Sequence, residues 1–215
     1  MTAKTRTYGD ACGIARALDV LGSRWAMLVI RELLFGPLRF SDLERALPGA
    51  STNMLSYRLR ELTDSGVITR RRLSPPASSA VYELTDWGRE VEPILNDLGS
   101  WGLRVSKPDP ATLSPTSVLL FLRGGAKVDP KTPDMVFRLV IDERVFAVSL
   151  HAGHVKVVST EPDVPDATLE CDPGTVNDLL SGEIDLETAI DTGRATIDGD
   201  QSKLRILIAS VADEV

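Results

Sequence analysis

The chain has 215 residues, of which 43% are hydrophobic and 26% are charged, a composition typical of one large or two ordinary globular domains. It has no apolar run of about 18 residues, the length that a membrane span needs, and its first residues do not resemble a signal peptide. We therefore expect a cytoplasmic protein without a membrane partner. The two cysteines, Cys12 and Cys171, are too far apart in sequence to predict a disulfide framework or a paired metal motif.

The net charge of −7 argues against a nucleic-acid binder until its distribution along the chain is counted. Residues 1–107 contain 15 basic and 12 acidic residues (net +3), whereas residues 108–215 contain 9 basic and 19 acidic residues (net −10). The sequence Lys107-Pro108-Asp109-Pro110 would end any helix that reaches it. We therefore predict two domains, residues 1–107 and residues 112–215, of which only the first has a charge suited to phosphate.

Three helices are predicted before residue 50. Apolar residues recur every three or four positions from residue 11 to residue 21, and a second helix, capped by Ser23, covers residues 24–35. A short third helix covers residues 40–47, and its start is predicted from Ser41 and Glu44, which match the capping-box pattern. A tight turn at residues 48–50 follows this helix.

Residues 51–65 predict a fourth helix with two different faces. Its apolar stripe contains Leu55, Leu59 and Leu62. The opposite face carries polar or charged side chains: Asn53, Ser56, Tyr57, Arg60 and Asp64. A supporting helix, a tight turn and an amphipathic helix in this order indicate a helix-turn-helix, whose second helix, the recognition helix, enters a DNA groove.

Two β-prone runs, residues 67–69 and residues 81–84, flank a loop at residues 74–79 that is rich in proline and serine. They predict a β-hairpin of the kind that is called the wing in winged helix-turn-helix proteins. Its first strand continues into three basic residues that would reach phosphate or the minor groove: Arg70, Arg71 and Arg72. The alternative is a basic strand that is simply solvated.

Thr85 is predicted to cap a long helix over residues 86–105, which Pro93 should kink. The apolar stripe of this helix is longer than a small domain needs, which predicts a dimerisation helix. Packing against the second domain of the same chain is the alternative.

Residues 8–103 resemble the HxlR-type branch of the MarR-like winged helix-turn-helix transcriptional regulators. The similarity is carried by CGIARALDVLGSRW, LRFSDLERALPGASTNMLSYRLRELTDSGVITR and YELTDWGREVEPIL. It implies a homodimer that binds double-stranded DNA and pairs through its terminal helices, at Ile14, Leu18, Leu95, Leu98 and Trp101. The resemblance also implies which residues the recognition helix presents to DNA: Ser51, Thr52, Asn53, Ser56, Tyr57, Arg58 and Arg60. Arg58 lies at the edge of the apolar stripe, where we expect a phosphate contact.

Some members of that family use an N-terminal cysteine as a redox sensor, and Cys12 stands at the matching position. The next residue is Gly13, where the family frequently has proline, and no second cysteine is nearby in this domain. The alternatives are a redox-active Cys12, for example one that forms a bond between two subunits, and a buried or inert thiol, and the sequence favours the second.

Period-two patterns in the second half predict five strands, at residues 135–141, 145–150, 155–158, 167–171 and 195–197. Helices are predicted after Ser114, after Asp172, at residues 186–190 and after Asp200. The predicted fold class is therefore α+β: a mainly helical winged helix-turn-helix domain with a β wing, followed by an α+β domain in which helices cover one antiparallel sheet.

The stretch ATLECDPGTVNDLLSGEIDLETAIDTGRATIDGD, residues 167–200, resembles the sterol-carrier-protein-like fold. The resemblance implies an apolar cavity for a hydrophobic small molecule, although inward-facing leucines and valines are equally typical of a plain core. His151 and His154 are predicted neighbours at a hairpin end and lack a third ligand for zinc. Because no phosphate loop, nucleophile elbow or catalytic triad order is found, we predict no enzyme activity, no cofactor and no metal site.

These patterns predict a sequence-specific, dimeric transcriptional regulator whose C-terminal domain binds an apolar small molecule and modulates DNA binding. The alternative is a lipid or hydrophobic-ligand binding protein in which the winged helix serves for protein contacts. The basic first half favours the regulator, and the negative net charge of the whole chain favours the alternative.

Overall fold

The computed structural model describes residues 7–74, 79–106, 108 and 112–212. The chain divides into two compact units, the N-terminal unit Met1–Gly102 and the C-terminal unit Leu103–Val215. The domain boundary that charge and proline content suggest, near residue 110, stays a prediction. Within the described residues, no helix is both long enough and apolar enough to cross a membrane.

The N-terminal unit combines helices with a small sheet. Its elements are α1 (Gly13–Leu21), α2 (Ala26–Leu33), β1 (Leu38–Arg39), α3 (Phe40–Ala46), α4 (Thr52–Asp64), β2 (Ile68–Arg72), β3 (Ala80–Leu84), α5 (Asp86–Arg89) and α6 (Glu92–Gly102). The strands are antiparallel in the order β1-β3-β2, with Leu38 opposite Tyr82 and Ile68 opposite Leu84. Strands β2 and β3 are the wing. The short strand β1 was not predicted, because two residues carry no period.

Helix α2 forms the centre of the N-terminal unit. It contacts α1, α3, α4, α6 and β3, and Val29, Ile30 and Leu33 are completely buried. Burial of apolar side chains stabilises a folded domain, and α2 buries its apolar residues in the middle of this unit. Helix α1, by contrast, has no buried residue. Among the described residues of the N-terminal unit, α2 contacts α1 but leaves much of the apolar stripe of α1 exposed, including Ile14 and Leu18.

Two helix starts differ from the prediction. The capping box predicted at Ser41 and Glu44 is wrong, since α3 begins at Phe40 and the Asp42 carboxylate accepts a hydrogen bond from the N–H of Arg39 at 3.1 Å. The pairing of β1 with β3 fixes the chain at Arg39 and so moves the helix start. The cap predicted at Ser23 is also wrong, because Trp25 occupies the N-cap position of α2, with a φ of 76°.

The long helix predicted over residues 86–105 is in fact two helices, α5 and α6, with a break at residues 90 and 91. Pro93 has no N–H to donate to the carbonyl of Arg89, and in a continuous helix its ring would collide with that carbonyl. The helix consequently breaks one turn before Pro93 instead of kinking at it. The predicted cap is confirmed: the Thr85 hydroxyl accepts a hydrogen bond from the N–H of Gly88 at 3.0 Å.

The C-terminal unit has the α+β content that the sequence predicts. Its elements are α7 (Pro115–Gly125), β4 (Met135–Ile141), β5 (Arg144–His151), β6 (His154–Val158), β7 (Ala167–Cys171), α8 (Pro173–Leu180), α9 (Leu186–Asp191), β8 (Ala195–Gly199) and α10 (Gln201–Ala212). The caps predicted at Ser114 and Asp172 are confirmed, since their side chains accept hydrogen bonds from the N–H groups of Ser117 and Thr175.

The five strands of the C-terminal unit form one sheet in the order β6-β5-β4-β7-β8. Three of its strand pairs are antiparallel as predicted, but β4 and β7 are parallel, with Leu139 opposite Leu169. Alternate residues of β4 are buried. Helix α7 contacts β6, α10 contacts β7, and α8 contacts both of these helices. Local sequence patterns predict where the strands are. They do not predict that β4 pairs with β7, because the paired residues are about 30 positions apart.

Candidate nucleic-acid interface

Helix α4 is held in place at its N-terminus and along its apolar stripe. The Ser51 hydroxyl accepts a hydrogen bond from the N–H of Met54 at 3.4 Å, and the Thr52 hydroxyl donates one to the Glu44 carboxylate at 2.5 Å. The second bond ties α4 to α3 across the turn. Leu55, Leu59 and Leu62 are each at most 1% exposed, as the sequence predicts. The recognition helix is therefore fixed before any partner binds.

The outward face of α4 carries the polar side chains that the sequence assigned to DNA. Asn53, Ser56, Tyr57 and Arg60 are all exposed, and Tyr57 is 43% exposed. A hydrogen bond with the Glu61 carboxylate is the main reason why the pKa of Tyr57 is raised above its ordinary value. These exposed groups offer donors and acceptors at the spacing of one helix face, and their contact with DNA stays a prediction.

Arg58 is the exception on this helix, and its predicted phosphate contact is wrong. The residue is only 6% exposed. Its Nε donates a hydrogen bond to the backbone carbonyl of Arg24 at 3.1 Å, and its guanidinium forms an ion pair with Glu61. A buried guanidinium with both partners inside the protein is not available to phosphate. Arg58 therefore fastens α4 to the start of α2.

The backbone next to the Arg24 carbonyl, which accepts the hydrogen bond from Arg58, has an uncommon conformation. Trp25 has a φ of 76°, a left-handed conformation that costs energy for a side chain of this size. The Trp25 ring packs against the turn between α3 and α4, where a Cβ on Gly49 would lie 2.8 Å from the Trp25 Cη2 atom. Arg58 and Trp25 thus join the start of α2 both to the recognition helix and to the turn before it.

The wing displays the three arginines that the sequence placed there. Arg70, Arg71 and Arg72 are all exposed. The Nε of Arg71 donates to the Glu83 carboxylate at 2.8 Å, and the Arg70 guanidinium lies 5.8 Å from the centre of the Tyr82 ring. Residues 75–78 of the predicted loop lie outside the described residues. Arg71 is the least available of the three for phosphate, because its charge is already partly neutralised.

A groove of about 300 Å³ separates α4 from the wing. It is lined by Ser56, Leu59, Arg60, Thr63, Asp64, Arg70 and Tyr82. The sequence did not single out Thr63 or Tyr82 as functional residues. Tyr82 could have been found by pairing the two predicted strands of the hairpin residue by residue, because it stands directly opposite Arg70. The groove brings an arginine of the recognition helix and an arginine of the wing to one place.

A second group of exposed side chains in the N-terminal unit is apolar. Four of the five residues predicted at a dimer interface are exposed: Ile14 (72%), Leu18 (44%), Leu98 (49%) and Trp101 (65%). Leu95 does not belong with them, because it is only 7% exposed and so contributes to the core of its own unit. Tyr8, Leu28 and Ile94 add further exposed apolar area. Large exposed apolar side chains in this number are typical of a protein whose surface is covered by a partner.

The two cysteines are in opposite environments. Cys12 precedes α1 and is exposed, so the expectation that this thiol is buried is wrong, whereas the expectation that it is inert stays a prediction. The backbone N–H of Ala15, followed by that of Ile14, lowers the pKa of the Cys12 thiol, because both favour the thiolate. Cys171 is buried in β7, and burial raises the pKa of its thiol to about 12. Of the two cysteines, Cys12 therefore carries the more reactive sulfur.

The C-terminal unit has a buried apolar core. Phe137, Phe146 and Leu119 are completely buried between the sheet and its helices. His151 and His154 stand directly opposite each other at the end of the β5–β6 hairpin, as the sequence predicts, and the His151 Nδ1 atom contacts the Asp134 carboxylate. In the part of the chain that the structure describes, no cluster of three or more metal-ligating side chains is found.

Comparisons with known proteins match two parts of the chain to two different families. Residues 20–110 match the family described as HxlR-like helix-turn-helix, and residues 125–209 match the SCP-2 sterol transfer family. The HTH-type transcriptional regulator YvaP of Bacillus subtilis (strain 168) is 41% identical over 86 residues, which is 40% of this chain and 80% of that protein. YkvN, an HTH-type transcriptional regulator of the same strain, is 36% identical over 92 residues, which is 43% of this chain and 78% of that protein.

Solved structures are similar over a comparable share of the chain. The reduced form of the transcriptional regulator YodB from B. subtilis has 29% sequence identity and a TM-score of 0.41. The match covers 46% of this chain and 98% of that chain. The redox regulator HypR in its oxidized form has 30% identity and a TM-score of 0.42, over 45% of this chain and 100% of that chain.

Proposed function

Because the chain belongs to the HxlR-like helix-turn-helix family of transcriptional regulators, we propose that it binds double-stranded DNA as a homodimer, in the cytoplasm, through α4 and the wing. The observation that carries the proposal is that α4 buries one face and exposes the other. Its leucines and Arg58 are buried, which leaves Asn53, Ser56 and Tyr57 exposed on one fixed face. A rigid helix that presents hydrogen-bonding side chains on one side is suited to the major groove.

The remaining predicted contacts follow from this placement. Ser51 and Thr52 lie at the N-terminal end of α4, where recognition helices commonly approach base edges and phosphates. Their hydroxyl groups also hold the helix in place, so we propose a supporting role for them beside any contact with DNA. Arg70 and Arg72 on the wing supply positive charge for the backbone or the minor groove.

The test is binding by the full chain to duplexes recovered from a randomised library by repeated selection with the protein. We expect Asn53→Ala to lower affinity for the selected duplex by about tenfold, because an asparagine that bonds a base edge contributes about 1–3 kcal/mol of discrimination. Its affinity for a scrambled duplex should not change. Fluorescence anisotropy at a fixed salt concentration measures both values.

The matched control is Gln201→Ala, which removes an exposed amide from α10 in the C-terminal unit. Equal losses in the two variants, or equal losses on the selected and the scrambled duplex, would contradict the placement of the reading face on α4. If the wild-type chain enriches no sequence and binds no duplex at low salt, the protein is not a DNA-binding regulator. The alternative function, a carrier of hydrophobic ligands, is then favoured by the SCP-2 match.

We propose further that α1 and α6 form the homodimer interface. Two recognition helices in a symmetric dimer can read two half-sites about 34 Å apart, which one chain cannot do. The exposed side chains Ile14, Leu18, Leu98 and Trp101 are the apolar surface available for this pairing. Leu95 supports α6 from inside its own unit.

The double substitution Leu98→Asp and Trp101→Asp should convert the dimer to a monomer, because each aspartate would bring an uncompensated charge into an apolar interface. Sedimentation equilibrium measures the mass, which should fall from that of two chains to that of one. Val164→Asp is the control, since Val164 is 83% exposed and lies in the C-terminal unit. A wild-type protein that sediments as one chain at micromolar concentration would refute the dimer.

For the C-terminal unit we propose an apolar small-molecule ligand that modulates DNA binding. The SCP-2 match and the buried apolar layer between sheet and helices support this proposal. A ligand changes DNA binding only if it has different affinities for the DNA-competent state and for another state of the chain. The regulator would then combine a DNA-binding unit with a unit that senses hydrophobic compounds.

A further inference from the structure

We propose that the groove between α4 and the wing holds one backbone phosphate of the bound DNA, between the guanidinium groups of Arg60 and Arg70. Arg60 would then supply affinity for any duplex, and the bases would be read by residues nearer the N-terminus of α4. This inference rests on the proposed DNA-binding function. It changes the role of Arg60, which the sequence places on the same face as Asn53.

The groove is built from a stripe of α4 that differs from the outward face. Ser56, Arg60 and Thr63 recur at spacings of three and four residues and line the groove with Leu59. Leu59 is 1% exposed and forms an apolar floor. Asn53 and Tyr57 do not line the groove. Arg60 therefore lies at the border between the outward face and the face toward the wing.

The other wall belongs to the wing. Arg70 and Tyr82 stand opposite each other on β2 and β3, and the Arg70 guanidinium lies 5.8 Å from the centre of the Tyr82 ring. A guanidinium that stacks on an aromatic ring has fewer orientations open to it, which lowers the entropy lost when it binds a ligand. The aromatic ring thus aligns Arg70 along the wall of the groove.

The geometry of B-DNA identifies what lies against this groove. A helix in the major groove and a wing in the adjacent minor groove are separated by one sugar–phosphate strand. A groove lined by both elements consequently faces that strand and not a base edge. Guanidinium groups have the fork of donors that matches phosphate oxygens, and such charge-assisted bonds are among the strongest in proteins.

The charges around the groove are consistent with a bound phosphate. Within residues 7–74 and 79–106, neither Arg60 nor Arg70 forms an ion pair with a carboxylate, whereas Arg58 pairs with Glu61 and Arg71 with Glu83. The two arginines of the groove thus keep their charge for a ligand. Asp64 lines the same groove and is exposed. Its carboxylate would repel a phosphate, which gives a test in the opposite direction.

The experiment measures anisotropy with the full chain, a labelled 30-bp duplex of arbitrary sequence and the duplex obtained by selection. At about 50 mM salt we expect Arg60→Ala and Arg70→Ala each to lower affinity for both duplexes by about tenfold, and to reduce the slope of log K against log salt by about one. Asp64→Asn should raise affinity for both duplexes severalfold. Arg89→Ala, which removes an exposed arginine from α5, is the control and should change neither value.

The possible results separate this inference from the proposed function. If Arg60→Ala loses affinity only for the selected duplex, relaxes the preference at one base pair and keeps the salt slope, Arg60 reads a base and the inference is wrong. It is also wrong if Asp64→Asn leaves affinity unchanged while both arginine variants bind like the wild type. If the wild-type chain binds neither duplex, the proposed function fails together with the inference. Thermal unfolding followed by circular dichroism confirms that each variant is folded.

Discussion

Replacing Gly88 with alanine should lower the free energy of unfolding of the N-terminal unit by about 3 kcal/mol, at the upper end of what overpacking costs. A Cβ at this position would lie 2.1 Å from the carbonyl oxygen of Val67 and 3.2 Å from a methyl group of Leu84. The Val67 carbonyl cannot easily move, because it accepts hydrogen bonds from the N–H of Thr85 at 3.0 Å and from the Thr85 hydroxyl at 3.1 Å. The substitution would push α5 away from the base of the wing.

Urea unfolding followed by tryptophan fluorescence measures this effect. All three tryptophans lie in the N-terminal unit, so the signal reports on that unit alone. The control is Gly99→Ala in α6, where a Cβ would meet nothing within 4 Å. Alanine is the better helix former by roughly 1 kcal/mol, so this variant should be as stable as the wild type or slightly more stable. Equal destabilisation by both substitutions would show that the close approach at Gly88 is not the cause.

Arg58→Ala should lower the free energy of unfolding by about 2 kcal/mol, since hydrogen bonds to charged groups contribute about 1.5–3 kcal/mol each. The substitution leaves the Arg24 carbonyl and the Glu61 carboxylate without their partner and removes a buried side chain. It also releases α4 from the start of α2. We therefore expect weaker binding to every duplex, in proportion to the disorder of the recognition helix.

Arg60→Ala is the matched control for this prediction, because it removes the same charge from an exposed position two residues away on the same helix. Its stability should stay within about 0.5 kcal/mol of the wild type, as is usual for surface substitutions. Arg58→Ala would then lose stability and Arg60→Ala would lose DNA affinity. If Arg58→Ala is as stable as the wild type and loses only the salt-dependent part of DNA binding, Arg58 contacts phosphate as the sequence predicted, and its structural role is refuted.

Arg58 and Arg60 illustrate how one residue type has different roles at neighbouring positions. Arg58 and Arg60 are alike in charge and close in sequence, and the pattern of leucines places Arg58 only at the edge of the apolar stripe. The structure buries Arg58 because the carbonyl of Arg24, 34 residues earlier, and the Glu61 carboxylate are both within reach. A buried charge is tolerable only where such partners exist, and their positions are not visible in the local pattern.

The sequence by itself determined the features that depend on residues within about one helical turn. The two faces of α4, the caps at Thr85 and Asp172, the arginines of the wing and the uneven charge of the two halves all follow from local spacing or composition. The family resemblance added the helix-turn-helix assignment, which the comparisons confirm.

Only the tertiary structure decided the features that depend on distant residues. The burial of Leu95, the exposure of Cys12 and the parallel pairing of β4 with β7 each require knowledge of which elements pack together. The groove beside Arg60 likewise exists only because a hairpin folds back beside α4. Periodicity states which face of an element is apolar, but the free energy of burial is set by the particular neighbours that cover it.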